Sequence, residues 1–376
     1  MGMYLIKKEI LLYCDKHMMK KIIVIALLFF APFFWVGVGG EVFSQDVHFS
    51  QSNMIPLLLN PALTGVEGDQ RAFLNYKNQW RGLAIQGAAF NTALFSFDAA
   101  LLKTKWRKGY LGAGIVCYRD VAGDLKMGTT QLNISISGIV YVNQNQFLSG
   151  GIQGGYVQKN ISATAMQWEN QYDASAGTFN SALPSNDIAS LPPLTYGNFS
   201  TGLAWTYHKD QRNVLSSNEQ LKINLGVAVQ NINTPKQNFA DYGISNQLYS
   251  KFVIHGTAMI GVQNTNLALM PNFVIYKQGP LSELNIGALL RYSLKDKSKY
   301  TGVYKGCAIS MGAQYRLKDA IAPVVLFEYS SYSIGMSYDV NVSGLTAATG
   351  GKGGFEISLK FVNPNPFHSV PRLREE

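Results

Sequence analysis

Hydrophobic and polar residues alternate with a period of two along most of this chain. In the stretch from Leu221 to Gln230, the residues Leu221, Ile223, Leu225, Val227 and Val229 share one face of an extended strand. Lys222, Asn224, Gly226, Ala228 and Gln230 share the other. A strand sends successive side chains to opposite faces. Wound as a helix, the same residues scatter around the axis, and Lys222 and Asn224 interrupt any apolar stripe. The pattern returns at Leu132–Val142, Leu284–Tyr292, Ile309–Arg316 and Phe355–Phe361. A soluble sandwich alternates too, but its solvent face carries many charges. Here charged residues make up 15% of the chain, and the polar faces are built largely from Gly, Ser, Asn and Gln. That combination predicts an all-β fold, a transmembrane antiparallel β-barrel that is apolar toward lipid and small or polar toward a lumen.

The alternating region spans 71–362 and divides into about 14 strands, an even number, as closure with both termini on one side requires. The connections fall into two sets. One holds the long loops 79–90, 160–195 and 232–251; the other holds short turns such as 143–145 and 262–265. Outer-membrane barrels have short periplasmic turns and longer external loops, so both termini are expected in the periplasm. The longest loop carries Trp168, Tyr172 and Phe179, aromatics suited either to constricting the barrel mouth or to meeting a partner.

Two segments break the alternation. Residues 45–70 hold Leu57, Leu58 and Leu59 between Pro56 and Pro61, with turn chemistry at Asn60-Pro61 and Thr64-Gly65. This predicts an ordered non-strand segment, tucked into the lumen or laid against the periplasmic mouth, since a disordered leader would leave the leucines in water. Residues 363–376 contain Pro364, Pro366 and Pro371 and read as a periplasmic tail.

Residues 1–44 read as an export signal: Lys20 and Lys21 precede an apolar run from Ile22 to Val38, and Val42-Phe43-Ser44 offers a small-residue cleavage site before Gln45. Met18 or Met19 is the expected start. Pro32 and the small-residue exit weigh against a retained anchor. The formal charge of +9 falls to +7 without the presequence, which carries five of 32 basic and three of 23 acidic residues. The remaining charges are dispersed, with no basic patch of the kind nucleic acid demands. Twenty Tyr, 20 Phe and 36 Gly suit aromatic girdles and eased curvature; Gly112, Gly114, Gly150, Gly151, Gly154 and Gly155 read as that curvature. Asp98, Lys222, Arg291, Arg316, Glu356 and Lys360 are expected to point into the lumen. Cys117 and Cys307 sit at apolar-phase positions of distant strands, too far apart for a disulfide.

No pattern of catalysis emerges. His48, His208, His255 and His368 have no partners at metal-ligand spacing, and there is no nucleophile elbow or phosphate-binding loop. No enzyme activity, cofactor or metal is expected. An outer-membrane channel or small-solute transporter is the competing function to a protein-binding one.

Five pieces, in order along the chain, carry a resemblance. They are F-S-Q-x(4)-P-L-x-x-N-P-A-x-x-G from Phe49 to Gly65, Y-K-N-Q-W-R-G from Tyr76 to Gly82, Asp120–Gly123, Gln230–Pro235, and Tyr338–Ser343 followed by Gly353–Glu356. In these the chain resembles the PorP/SprF family of outer-membrane proteins of the type IX secretion system. The resemblance implies a non-catalytic barrel that aids secretion or surface display of proteins bearing C-terminal domains, including gliding adhesins, and that meets periplasmic components of the machine. On position, Phe49, Gln51, Pro56, Leu57, Asn60, Pro61, Tyr76, Asn78, Gln79 and Trp80 are the candidate plug or partner-contact residues, together with Trp168 and Tyr172 of the long loop.

Overall fold

A computed structural model describes residues 47, 49–80, 89–103, 106, 108–123, 126–161, 168–180, 182–184, 193–209, 220–237, 247–295, 306–344 and 346–363. The expected signal segment 1–44 and the tail beyond Asn363 lie outside the described residues, as do His48 and His368.

The first half of the barrel is made by β1 (Gln70–Gln79), β2 (Phe90–Leu101), β3 (Gly109–Ala122), β4 (Met127–Tyr141) and β5 (Gln146–Asn160). A two-residue ladder, β6 (Tyr172–Asp173) with β7 (Thr178–Phe179), stands apart in the long loop. The wall resumes with β8 (Leu194–Lys209), β9 (Leu221–Gln230), β10 (Lys251–Gly261), β11 (Leu267–Gln278) and β12 (Leu281–Lys295). It ends with β13 (Cys307–Arg316), β14 (Ala320–Tyr329), β15 (Tyr332–Asn341) and β16 (Lys352–Asn363). Each barrel strand pairs antiparallel with its neighbours, and β1 pairs with both β2 and β16, closing a 14-strand barrel. Closure leaves no edge strand with unpaired backbone groups, the condition for spanning hydrocarbon.

Strand register puts the period-two pattern to work. Leu225, Val227, Ile286, Leu290, Met311, Ile357 and Leu359 are exposed on the outer wall, while Gly226, Ala228, Asn285, Ser310, Gln314, Glu356 and Ser358 are buried in the bore. Exposed aromatics gather toward the rims, with Tyr315, Tyr338 and Phe355 near one end and Tyr292, Tyr329 and Tyr332 near the other. Chiefly aliphatic residues, with Phe95 and Phe97 of β2, fill the band between, as a bilayer asks. Cys117 and Cys307 are free and half-buried on the outer phase. The terminal rim, where β1 begins opposite the end of β16 at Gln70↔Asn363, carries the short connection 142–145; the far rim carries 161–193 and 231–250.

The outer wall sets a clear expectation. Leu225→Lys or Ile286→Lys places a charge mid-strand against lipid, at about 2–4 kcal/mol, whereas the lumenal Asn224→Lys should cost well under half of that. Denaturant unfolding of the protein refolded into vesicles checks both.

Candidate functional site

The bore is occupied by the chain's own segment from Phe49 to Asp69. Prolines shape it. Pro56 opens the single helical turn Pro56–Leu59, and Pro61 opens the 3-10 turn Pro61–Leu63. At a first helical position the missing N–H has no intrahelical role and the fixed φ is already helical. Between the turns, Asn60 accepts a hydrogen bond from the Ala62 N–H at 2.8 Å and caps the second turn. The result is a compact, non-repeating chain with many free carbonyls, which the barrel wall must satisfy.

One side of the wall is stripped of side chains to receive it. An added Cβ would lie 2.3 Å from the Thr64 carbonyl oxygen at Gly112, 2.4 Å from the Pro61 backbone at Gly151, 2.0 Å from Asn60 Oδ1 at Gly202 and 2.8 Å from Asn60 Nδ2 at Gly226. Gly112 and Gly151 sit on β3 and β5; β4 between them offers Ser137, whose hydroxyl donates to the Thr64 carbonyl at 2.6 Å, and Ser135, which accepts from the Thr64 hydroxyl at 2.9 Å. On β8 and β9 the Asn60 amide lies over the paired residues Leu203 and Val227, donating to their carbonyls at 3.1 and 3.2 Å. Five neighbouring strands therefore make one smooth seat. The curvature reading of Gly112, Gly114 and Gly151 is corrected: these glycines make room for the segment, and Gly114 faces Leu57. Gly65 itself has φ +70° and lies against Gly112, where a side chain would be strained and crowded. Accordingly, Gly151→Ala should destabilise the barrel by at least about 2 kcal/mol through overpacking, while Gly138→Ala, with nothing within 4 Å of its added Cβ, should be close to neutral. Melting temperatures of the two variants in one detergent make the comparison.

Both ends of the segment are held by lumenal carboxylates. Near its start, the Ser50 and Gln51 N–H groups donate to Glu356 at 2.8 and 3.0 Å, and the Ser50 hydroxyl donates to Asp339 at 2.6 Å. Asp339 also pairs with Lys77 at 3.2 Å and Arg316 at 3.3 Å. Near its end, the Gly65 N–H donates to Asp98 at 2.6 Å; Arg71 grips the same carboxylate through Nε and Nη2 and reaches the Leu63 carbonyl at 2.7 Å. Charged acceptors make the stronger hydrogen bonds, and pairing Asp98 with Arg71 and Asp339 with Lys77 and Arg316 offsets their desolvation. Asp339 and Lys77 each lie two residues from the far-rim end of their strands. The segment thus runs from the far-rim half of the bore to the terminal rim where β1 begins.

Glu67 adds a cross-brace. It pairs with Lys222 of β9, with Lys360 of β16 at 3.1 Å and with Arg71 at 3.6 Å. β9 and β16 stand seven strands apart in the cylinder, on opposite walls, so one carboxylate ties the bore across its width. The Lys222 ammonium, then that of Lys360, holds the Glu67 carboxyl well below its usual range.

The middle of the segment is apolar. Phe49, Ile55, Leu57 and Leu59 pack in one cluster with Leu94 and Val116 on one side and Val253, Val274 and Tyr276 on the other. The lumen is therefore not uniformly polar: it carries greasy residues where the segment sits. Gln153 donates to the Leu57 carbonyl at 3.2 Å, and Gln230 to that of Leu58 at 2.7 Å.

The structure brings Phe49, Gln51, Pro56, Leu57, Asn60 and Pro61 together in this plug, all buried. Four other candidates lie elsewhere. Tyr76 is exposed on the outer wall with its hydroxyl on Asn91, Asn78 reaches the same Asn91, Gln79 ends β1, and Trp80 packs edge-on against Phe90. Along β1 it is Arg71, Asn75 and Lys77 that face the plug, on the phase opposite to Tyr76 and Asn78; Asn75 donates to the Met54 carbonyl at 2.9 Å. Trp168 and Tyr172 belong to the far-rim loop, Tyr172 standing exposed on the β6–β7 ladder.

The family model for the type IX secretion system membrane protein PorP/SprF matches residues 41–361. The chain belongs to this family. The match covers the plug and nearly all of the wall, so this PorP/SprF protein is an outer-membrane barrel of the type IX secretion system. Solved structures similar to it include the Ralstonia pickettii toluene transporter TbuX, at TM-score 0.39 and 10% identity over 81% of this chain and 90% of that one. A deletion mutant of the monoaromatic hydrocarbon channel TodX gives 0.43 and 9% over 82% and 94%. BamA from Haemophilus ducreyi, lacking POTRA domains 1–3, gives 0.38 and 8% over 78% and 70%. No curated protein matches the chain in sequence.

Proposed function

We propose that this PorP/SprF protein works as a closed, non-catalytic barrel that binds proteins at its two rims, aiding the export or surface retention of adhesins and other cargo bearing C-terminal domains. The observation that carries this reading is the bore filled by the chain's own segment, tied across to opposite walls by Glu67 and held at its two ends by the Glu356 and Asp98 clamps. A barrel so filled has its rims, rather than its lumen, left for partners. The far rim, with its long loops and the exposed Tyr172, faces outward and meets cargo. The terminal rim, where β1 begins and β16 ends, faces the periplasm and meets the periplasmic components of the machine; the expectation that both termini gather there does not carry over to the plug, whose first residues sit in the far-rim half of the bore. No cofactor takes part, and outer-membrane lipid surrounds the wall.

Deleting the gene tests this directly. Loss of a defined set of C-terminal-domain proteins from the cell surface, with outer-membrane solute permeability unchanged, is the expected result. An intact surface set with reduced uptake of small solutes would overturn it in favour of a passive transporter.

A further inference from the structure

Beneath the plug, toward the terminal rim, the bore opens into a cavity of about 290 Å³ whose lining is divided. One part is apolar: Met54 and Leu59 of the plug, Met259 of β10, Met270 of β11 and Leu326 of β14. The other holds Lys222, Lys360 and Arg291, with Arg71 behind them, and neutral polar side chains such as Thr206, Asn224 and Ser333 complete the lining. The charges do not cancel. Those four cations are set against Glu67, Asp98 and Glu328, since Arg71 grips Asp98 and Arg291 pairs with Glu328 at 2.7 Å. Among the described residues one positive charge is left over. It sits where Glu67, its side chain 35% exposed, is shared by Lys222 and Lys360.

We propose that this cavity binds a small monoanionic amphiphile, its head between Lys222, Lys360 and Arg291 and its short tail against the methionines. Three physical points converge on it. A single negative charge balances the pocket. Flexible, polarisable methionines accept apolar chains of varied shape. The volume holds about ten groups the size of a water molecule, the scale of a medium-chain carboxylate.

Octanoate and 1-octanol are the probes, added to the full chain labelled with [13C]methyl methionine in lipid nanodiscs. Octanoate should shift the Met259 and Met270 methyls saturably. Met311 and Met336, exposed on the outer wall, report any partition into lipid and should move without saturating. Octanol should bind at least about tenfold more weakly, the effect of losing one charge-assisted hydrogen bond. Glu67→Gln removes the resident carboxylate and should tighten octanoate binding, whereas Lys222→Gln should weaken it. Met270→Trp fills the apolar part and should abolish the saturable shift. The proposal is overturned if the lumenal methyls do not saturate, if octanol matches octanoate, or if Glu67→Gln weakens binding while the protein keeps its wild-type melting temperature.

Discussion

Replacing residues 49–65 by a Gly-Ser chain of equal length is expected to turn an electrically quiet barrel into a conducting pore. Barrel diameter grows with strand number, and eight strands already leave just enough room for side chains to fill; the 14 strands here enclose far more space. The plug fills much of that space, leaving the cavity toward the terminal rim. Phe49, Ile55, Leu57, Asn60, Ala62 and Thr64 are each at most 1% exposed, covered by the wall and by one another. Gly-Ser residues supply neither the volume nor the Ser50, Gln51 and Asn60 contacts, and such a chain behaves as a flexible coil. It also leaves Leu94, Val116, Val253 and Val274 facing a wet bore, so the melting temperature should fall as well. Planar-bilayer recordings of wild type and variant give the answer: steady steps in the variant and none of comparable size in the wild type. Equal conductance in both would show that this segment does not close the bore, and the rim-binding reading would lose its main support.

The second large effect concerns Arg71 and Asp98. Both side chains are almost wholly buried, at 4% and 0% exposure, and Asp98 is the acceptor for the plug's Gly65 N–H. Removing one partner leaves an uncompensated buried charge, a loss of about 3–5 kcal/mol. Arg71→Ala and Asp98→Ala should each destabilise by that amount, and each should also loosen the end of the plug. Asp98→Ala frees the Gly65 N–H; Arg71→Ala frees the Leu63 carbonyl. The double variant should cost clearly less than the two singles together, because neither charge remains to be desolvated alone. Denaturant unfolding in one lipid composition measures all four proteins. Strict additivity would mean that the pair does not act as a unit and that the clamp is not what holds the plug's end.

These two expectations address different levels of one design. The first treats the plug as volume, the second as a chain end held by a charge. Lys77 with Asp339 at the other end repeats the arrangement, so losing one clamp should leave the segment partly seated. A plug fastened at both ends and braced across the bore by Glu67 is built to stay, and cargo handling at the rims does not require it to leave.

Much of this was legible in the amino-acid order because the barrel's signal is local. Leu225 and Val227 announce a lipid face against Gly226 and Ala228 with no knowledge of their neighbours, since the two-residue period is a property of the strand alone. The prolines of 45–70 likewise declare a segment that does not join the sheet, and three leucines between them ask for cover. Where that cover lies is a different kind of question. Asn60 meets Leu203 and Val227, Glu67 meets Lys222 and Lys360, and Ser50 meets Asp339 and Glu356, partners that become neighbours only when the cylinder closes. Period two shows which residues of β3, β4, β5, β8 and β9 face inward, and small residues on that phase at Gly112, Ser137, Gly151, Gly202 and Gly226 form a readable cue. Read strand by strand, however, they suggest only bending. Closure of the wall decides that they lie side by side, and the chain's own segment pressing on them, at the four glycines closer than any Cβ allows and at Ser137 through its hydroxyl, turns five separate small residues into one seat.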